Sequence, residues 1–133
     1  MRRALVVEDD AHNATLFRKL LEKRCGCEVT VTESVEEILS LCRAGGIELV
    51  IMDVSLNNSR WENRAISGVE ICRLLKQDPV TAHIRVVLAT AHAMRGDAES
   101  LLAESGADDY VAKPILDHAE FVTRIRAHLP EAA

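Results

Sequence analysis

Short apolar segments alternate along this chain with longer segments whose apolar residues recur at helical spacing. Each short segment is bounded by polar residues and is too short for a stable helix, so it predicts a strand. The long segments begin with capping residues or end at glycine or proline, as helices do. The predicted strands are 4–7, 28–32, 48–53, 84–89 and 109–112, and the predicted helices are 11–24, 34–44, 69–77, 94–105 and 117–129.

The order of these elements predicts one α/β domain. Strands that alternate with helices form a parallel sheet with right-handed crossovers and helices on both faces. With 133 residues the chain has the length of one ordinary domain, and it contains no internal repeat and no linker-like stretch. We therefore expect a doubly wound, five-stranded parallel sheet with five helices, forming a single domain over residues 1–133.

Residues 55–68 interrupt this alternation, since their apolar residues follow no clear period. The segment predicts a loop of a length that is usually functional or mobile. It holds the only tryptophan, Trp61, between Arg60 and Arg64. Two interpretations stay open: a tolerated surface insertion, or a docking or lid feature beside the preceding strand end.

Composition narrows the class of protein. The net charge of -5 argues against a general nucleic-acid or membrane-surface binder, because such proteins need a basic surface. No apolar run approaches the roughly 18 residues of a membrane span, and no signal-peptide core is present, so we expect a cytoplasmic protein. The cysteines lack the spacing of a zinc site and are interpreted as free, partly buried thiols. They are Cys25, Cys27, Cys42 and Cys72.

Four of the predicted strands end in polar side chains that complement one another chemically. The carboxyl ends of neighbouring parallel strands meet at one edge of the sheet, where open α/β proteins place their ligands. The sequence therefore predicts several carboxylates, one hydroxyl and one ammonium around a single point. In chain order these residues are Glu8, Asp9, Asp10, Asp53, Thr90 and Lys113.

This combination predicts metal-assisted phosphoryl chemistry. Clustered carboxylates raise one another's pKa, and a hard divalent cation such as Mg²⁺ removes that cost. Asp53 could then act as a nucleophile toward a phosphoryl group. Lys113 would neutralise charge on that group and Thr90 would donate a hydrogen bond to it.

Each of these residues also has an ordinary interpretation. The acidic run 8–10 is typical of a helix N-terminus, where negative charge complements the helix dipole. Thr90 could cap the next helix, Lys113 could be a surface lysine, and a strand-end aspartate such as Asp53 is usually a cap or a solvated loop residue. Complementary chemistry at four independent strand ends favours the functional interpretation.

With these motifs in view, the chain resembles the receiver domains of two-component response regulators. The resemblance extends over about residues 3–129, and its motifs are specific in combination although each is weak alone. They are Val6-Val7-Glu8-Asp9-Asp10, Val50-Ile51-Met52-Asp53, Gly68-Val69-Glu70, Val87-Leu88-Ala89-Thr90-Ala91 and Gly106-Ala107-Asp108-Asp109-Tyr110-Val111-Ala112-Lys113-Pro114.

The resemblance implies a flavodoxin-like fold with strand order 2-1-3-4-5. It implies that Asp53 accepts a phosphoryl group from a histidine kinase or a histidine phosphotransfer protein. It also implies a Mg²⁺ site in which Asp9 binds directly and Glu8 through water. Asp53 and the backbone carbonyl of Ser55 complete the implied ligand set.

The resemblance implies a switch as well. Thr90 and Lys113 match the residues that contact the phosphoryl oxygens, and the Lys113–Pro114 peptide is expected to be cis. Tyr110 matches an aromatic residue that turns inward when Thr90 moves. The surface of the fourth helix, fifth strand and fifth helix would then change shape for a partner. Ser55 and His92 stand at positions that tune dephosphorylation in the family.

The chain departs from the family pattern in two respects. The segment between Asp53 and Gly68 is longer than usual, and Leu56-Asn57 stands where Met-Pro is usual. We expect no output domain after the last helix, which implies a stand-alone receiver that acts on an unidentified output protein, with a possible homodimer through the last two helices.

Alternative functions are a phosphorelay intermediate, a pseudo-receiver for interaction or dimerisation, and a haloacid-dehalogenase-like phosphatase, which Ser55 disfavours.

Overall fold

A five-stranded parallel sheet between two layers of helices forms the fold. The computed structural model describes residues 2–54, 56, 60–61, 64–91 and 95–129, with the backbone alone for 60–61, 64–65 and 95–98. The elements are β1 (Arg2–Val7), α1 (Ala11–Arg24), β2 (Cys27–Thr32), α2 (Val35–Ala44), β3 (Ile47–Asp53), β4 (Arg60–Trp61), β5 (Arg64–Ala65), α3 (Gly68–Gln77), β6 (Arg85–Thr90), α4 (Arg95–Ser105), β7 (Asp109–Ala112) and α5 (His118–His128).

The order of strands in the main sheet is β2-β1-β3-β6-β7, and every neighbouring pair is parallel. Counted within this sheet alone, the order is 2-1-3-4-5. The expected flavodoxin-like, doubly wound fold is therefore confirmed. The carboxyl ends of β1, β3 and β6 lie side by side at one edge, which is where the sequence placed its polar residues.

Alternate residues of each central strand face opposite helix layers. Leu49 and Ile51 of β3 pack in a core with α1 and α5, whereas Val50 and Met52 pack in a second core with α2 and α3. All four side chains are fully buried. Burial on both faces explains why these strands are uninterrupted apolar runs rather than alternating ones.

Side chains cap four of the helices at their N-termini. Asp10, Ser34, Ser67 and Asp117 each accept a backbone N–H from the first turn of the helix that follows. Two of these caps, Ser34 and Asp117, are the first residues of helices that the sequence predicts. Such a bond satisfies one of the N–H groups that the helix leaves unpaired and contributes about 1 kcal/mol.

The predicted long loop after β3 contains a short hairpin. β4 and β5 pair antiparallel, with Arg60 opposite Ala65 and Trp61 opposite Arg64. Two-residue strands are too short to give a periodic pattern, which is why the sequence indicated only a loop. The side chains of Arg60, Trp61 and Arg64 lie outside the described part, so both interpretations of this segment stay predictions.

The remaining elements follow the predicted ones within a few residues. β1 begins at Arg2 rather than at Ala4, and the predicted start of α4, residue 94, lies outside the described residues. Leu101 and Leu102 of α4 are half-buried. Among the described residues, no helix is both long and apolar enough to cross a membrane.

The cysteines are free and buried, more deeply than the partial burial expected from the sequence. Burial raises the pKa of Cys27, Cys42 and Cys72 to about 11 and also raises the pKa of Cys25. Thiolates are the reactive form of cysteine, so these side chains act as small apolar groups in the core.

A half-buried aspartate connects α3, the start of β6 and the turn before β7. Asp108 Oδ2 accepts hydrogen bonds from Lys76 Nζ and from the backbone N–H of Val86, both at 2.8 Å. Lys76 Nζ also donates to the carbonyls of Ala82 at 3.2 Å and Ile84 at 2.7 Å. Burial opposes ionisation of Asp108, but these hydrogen bonds outweigh it and lower the pKa of the carboxyl group.

We expect Asp108→Ala to lower the free energy of unfolding by roughly 2–4 kcal/mol, because it leaves the Lys76 ammonium and the Val86 N–H without their acceptor. Arg85→Ala is the matched control, since Arg85 lies 3.5 Å from the same carboxylate with its side chain 54% exposed. Urea unfolding monitored by circular dichroism measures both. An equal decrease in the free energy of unfolding of the two variants would contradict the assignment of Asp108 as the residue that joins α3 to β6.

Candidate functional site

The carboxyl ends of β1 and β3 and the residue after β7 bring three charged side chains into direct contact. Lys113 Nζ lies 3.0 Å from Glu8 Oε1 and 3.0 Å from Asp53 Oδ1. The side chain of Lys113 is 11% exposed, while those of Glu8 and Asp53 are 1% and 2% exposed. One ammonium therefore bridges two buried carboxylates.

The backbone places this ammonium. The N–H of Lys113 donates to the carbonyl of Thr90 at 2.9 Å, which continues the β6–β7 ladder one step beyond the strands. The peptide bond between Lys113 and Pro114 is cis, as predicted. The side chain of Lys113 lies at the ends of β1 and β3, where it contacts Glu8 and Asp53.

A third carboxylate joins the pair. Single oxygens of Glu8, Asp9 and Asp53 all lie within 4.8 Å of one another. Asp10, the last residue of the acidic run, is exposed and instead caps α1 by accepting the N–H groups of His12 at 2.8 Å and Asn13 at 3.1 Å. The ordinary interpretation of the acidic run is therefore right for Asp10, and these bonds lower its pKa.

The charges of the site are strongly coupled. Burial, together with the nearby Asp53 carboxylate, raises the pKa of Glu8 to about 7, although Lys113 acts in the opposite direction. Burial also works against the ammonium, but hydrogen bonds to Asp53 and Glu8 outweigh it and raise the pKa of Lys113. Among the described residues, the Lys113 ammonium is the cation paired with Glu8 and Asp53, and the carboxylate of Asp9 lies beside them, so the ionised carboxylates of this cluster repel one another.

The donor set fits a hard divalent cation. The cluster offers only carboxylate oxygens, few in number and close together, which is the chemistry that Mg²⁺ selects. Glu8, Asp9 and Asp53 are the described residues that could hold it. The further ligand expected from the sequence, the carbonyl of Ser55, lies outside the described residues.

Thr90 and Tyr110 lie on neighbouring strands. Thr90 ends β6 and is 3% exposed, and it pairs with Ala112, whereas Tyr110 pairs with Leu88 two residues earlier on both strands. Since residues two apart share a face, Thr90 and Leu88 point to the side on which Tyr110 packs. Arg124 of α5 was not among the residues that the sequence indicated. Its guanidinium carbon lies 5.7 Å from the centre of the Tyr110 ring. His92 lies outside the described residues.

The sequence model of the family described as the response regulator receiver domain matches residues 4–126. The chain belongs to this family. The receiver domain is 36% identical over 128 residues to the polar-differentiation response regulator DivK of Brucella ovis, and the match covers 96% of each protein. Receiver domains of this family act in two-component signalling, so the chain is a signalling protein of that class.

Solved structures agree with this assignment. A response-regulator candidate from Chloroflexus aurantiacus J-10-fl shares 28% identity with the receiver domain at a TM-score of 0.80, and the match covers 96% of both chains. The receiver domain of the sensor histidine kinase PA1611 from Pseudomonas aeruginosa PAO1 shares 25% identity at a TM-score of 0.76, again over 96% of both chains. The crystal of that protein contains a magnesium ion coordinated in the active site cleft.

We expect the stability of the metal-free receiver domain to fall as pH rises from 5 to 8, relative to Glu8→Gln. The pKa of Glu8 is about 7 in the folded chain and 4.5 as a reference, so the folded state binds this proton more tightly. Its contribution is therefore full below about pH 4.5 and is lost as pH rises through about 7, about 3 kcal/mol in all.

Urea unfolding in the presence of a chelator, at several pH values, measures this difference. Added Mg²⁺ should stabilise the wild-type protein more at pH 8 than at pH 5, because protons compete for the same carboxylate. Parallel pH profiles for the wild type and Glu8→Gln would refute the assignment of a raised pKa to Glu8.

Proposed function

We propose that this receiver domain is a phosphorylation-controlled switch. Asp53 accepts a phosphoryl group from a histidine kinase or a histidine phosphotransfer protein, in a reaction that depends on Mg²⁺. The modified domain then signals through contacts with an output protein. The observation that carries this proposal is the bridge from Lys113 Nζ to Asp53 Oδ1 and Glu8 Oε1, at 3.0 Å each, within the carboxylate cluster.

Asp53 is suited to the role of phosphoacceptor. Its carboxylate is 2% exposed and lies at the end of a rigid central strand, so its position is fixed before the donor arrives. In the proposed step an oxygen of Asp53 forms a bond to phosphorus while the bond from phosphorus to the donor's imidazole nitrogen breaks. The released imidazole keeps the electron pair and takes up a proton.

The other residues of the site would stabilise charge. Lys113 remains an ammonium at neutral pH and lies within hydrogen-bond distance of Asp53, so it can follow the charge onto the transferred group. Thr90, buried at the end of β6, is proposed to donate a hydrogen bond to a phosphoryl oxygen. Mg²⁺ held by Glu8, Asp9 and Asp53 would neutralise the charge of the phosphoryl oxygens, as in other phosphoryl-transfer sites.

The same reaction supplies the switch. A phosphoryl group replaces one negative charge on Asp53 by about two and adds strong hydrogen-bond acceptors. We propose that Thr90 moves toward these oxygens and that Tyr110 turns into the space left behind. The surface of α4, β7 and α5 would then change shape, and the half-buried Leu101 and Leu102 of α4 offer little resistance to that change.

Several finer points belong to the proposal. The chain would act as one receiver domain over residues 1–133, in the cytoplasm, without direct nucleic-acid or membrane contacts. A homodimer through α4 and α5 would be one way for the altered surface to be recognised. A relay role, in which phosphate passes from Asp53 to a second histidine protein, uses the same site and differs only in the partner.

Incubation with acetyl phosphate and Mg²⁺ should add about 80 Da, the mass of one phosphoryl group, to the intact protein. The adduct should be absent in Asp53→Asn and present in Asp109→Asn, which makes the same change at the opposite end of β7, two strands away from β3 in the sheet. Intact-mass spectrometry under cold, neutral conditions measures both. Folded wild-type protein that gains no mass would refute the proposed function.

Lys113→Met should bind Mg²⁺ about tenfold more tightly at pH 8.5, because it removes a positive charge 3.0 Å from two of the proposed ligands. The same variant should accept the phosphoryl group more slowly, since Asp53 loses its buried cation. Isothermal titration and the intact-mass time course measure the two effects. A variant with weaker Mg²⁺ binding and unchanged phosphorylation would contradict the role given to Lys113.

A further inference from the structure

The first residue of α3 lies directly against the peptide of the proposed phosphoacceptor. A Cβ atom built on Gly68 would overlap the carbonyl oxygen of Asp53 and would lie 2.8 Å from its carbonyl carbon and 3.1 Å from Cγ of Met52. The backbone of Gly68 has the dihedral angles of an ordinary helix residue, so glycine is required here for space and not for conformation. Any other residue at this position would have to displace either Asp53 or the helix.

The peptide after Asp53 is held from two sides. The N–H of Val54 donates to the carbonyl of Ala89 at 3.0 Å, which extends the ladder between β3 and β6 past Asp53. The carbonyl of Val54 accepts the N–H of Gly68 at 3.2 Å. The strand end therefore cannot yield without the loss of a sheet bond or of the bond to α3.

Helix α3 is equally constrained. Ile71, Cys72 and Leu75 are fully buried in the core between the sheet and the α2–α3 layer. The hydroxyl of Ser67 accepts the N–H of Glu70 at 3.3 Å and caps the helix at the same point. Because packed interiors do not deform smoothly, an outward shift of α3 large enough to admit a methyl group would disturb this core.

The same contact joins the two ends of the long segment that follows the site. The chain leaves the site at Val54 and returns at Gly68, and one hydrogen bond joins these two residues. Leu56 is half-buried and Ile66 is 2% exposed, and both pack on the α2–α3 core at the base of the segment. The two ends of the segment are thus joined beside Asp53.

We propose that Gly68 is a positioning residue, which fixes the backbone of Asp53 and thereby the approach of its carboxylate to Lys113, whatever the length of the segment between positions 54 and 68. This inference rests on the proposed function of Asp53 as phosphoacceptor. It assigns a role to a residue with no side chain and places the geometric control of the reaction in the start of α3.

The consequence is kinetic. A shift of about 1 Å in a reacting group can lower a rate by up to about two orders of magnitude, because the attack requires close alignment. We expect Gly68→Ala to slow phosphorylation by acetyl phosphate by about tenfold or more at saturating Mg²⁺, among the molecules that remain folded. The unfolding transition should also move to lower denaturant.

Two control variants separate positioning from general destabilisation. Ser67→Ala removes the cap of the same helix without adding an atom beside Asp53. Gly45→Ala makes the same chemical change at the far end of β3, at φ 88° and with no atom within 4 Å of the new Cβ. Both should lower stability, and both should keep the wild-type rate once the rate is divided by the folded fraction from circular dichroism.

The outcomes are distinct. A wild-type protein that accepts no phosphate would overturn the proposed function itself, whereas normal phosphorylation of the wild type and of Gly68→Ala alike would overturn only the role of Gly68. A slow Gly68→Ala beside two fast controls supports it. Equal slowing in all three variants would indicate a loss of stability with no positioning effect and would overturn it.

Amide hydrogen exchange in the wild-type protein tests the same contact even if Gly68→Ala does not fold. A rigid contact requires the amides of Gly68 and Val54 to exchange as slowly as those of Val50 and Ile51 in the centre of β3, through global unfolding. Exchange at Gly68 that is faster by orders of magnitude would mean that α3 opens locally from Asp53, and the proposal would fall.

Discussion

The ammonium of Lys113 between the carboxylates of Glu8 and Asp53 is the interaction on which the site depends. Two acidic side chains with almost no exposed surface cannot lie together at the end of a sheet unless a cation offsets their repulsion and their loss of hydration. Among the described residues, Lys113 is the cation that contacts Glu8 and Asp53, and the carboxylate of Asp9 lies beside them. Burial, together with the neighbouring Asp53, raises the pKa of Glu8, and the three clustered carboxylates fit a divalent ion.

The doubly wound sheet makes this arrangement possible. Each of the three side chains comes from a different strand end, and the sheet aligns those ends because its strands are parallel and buried on both faces. Backbone contacts hold the chain where it leaves these strand ends. The backbone of Lys113 continues the ladder with Thr90, and Gly68 places the start of α3 against Asp53. The chemistry is thus held by backbone contacts that do not involve the reactive atoms.

Much of this could be predicted from the sequence because it depends on local pattern. Apolar runs that stop at charged residues predicted both the strands and the edge at which Asp53 and Lys113 meet. The sequence could not show which residues of the acidic run 8–10 belong to the cluster. A carboxylate such as Asp10 either caps a helix or joins the cluster, and a shift of one residue in the start of α1 decides between the two. Helix spacing and motif identity likewise could not explain why position 68 must be glycine, because the need for glycine arises from a contact between α3 and the end of β3.

Other features depended on long-range pairing. The hairpin of β4 and β5 has too few residues to carry a period, and the hydrogen bonds of Asp108 join residues 22 and 32 positions away. Nothing in a local window distinguishes such an aspartate from a surface one. The contacts of Asp108 lie at the start of β6, at the opposite end of the sheet from the site, so the sequence predicted the candidate chemistry better than the contacts that support the fold.

The central claim is that Asp53 carries the phosphoryl group, and chemical trapping tests it most directly. Borohydride reduces an acyl phosphate on aspartate to homoserine, and peptide mass spectrometry then locates the changed residue. After phosphorylation with Mg²⁺, the account predicts homoserine at position 53 and at no other carboxylate. Reduction at Glu8 or Asp9, or a phosphoryl group that resists borohydride because it resides on histidine, would contradict it.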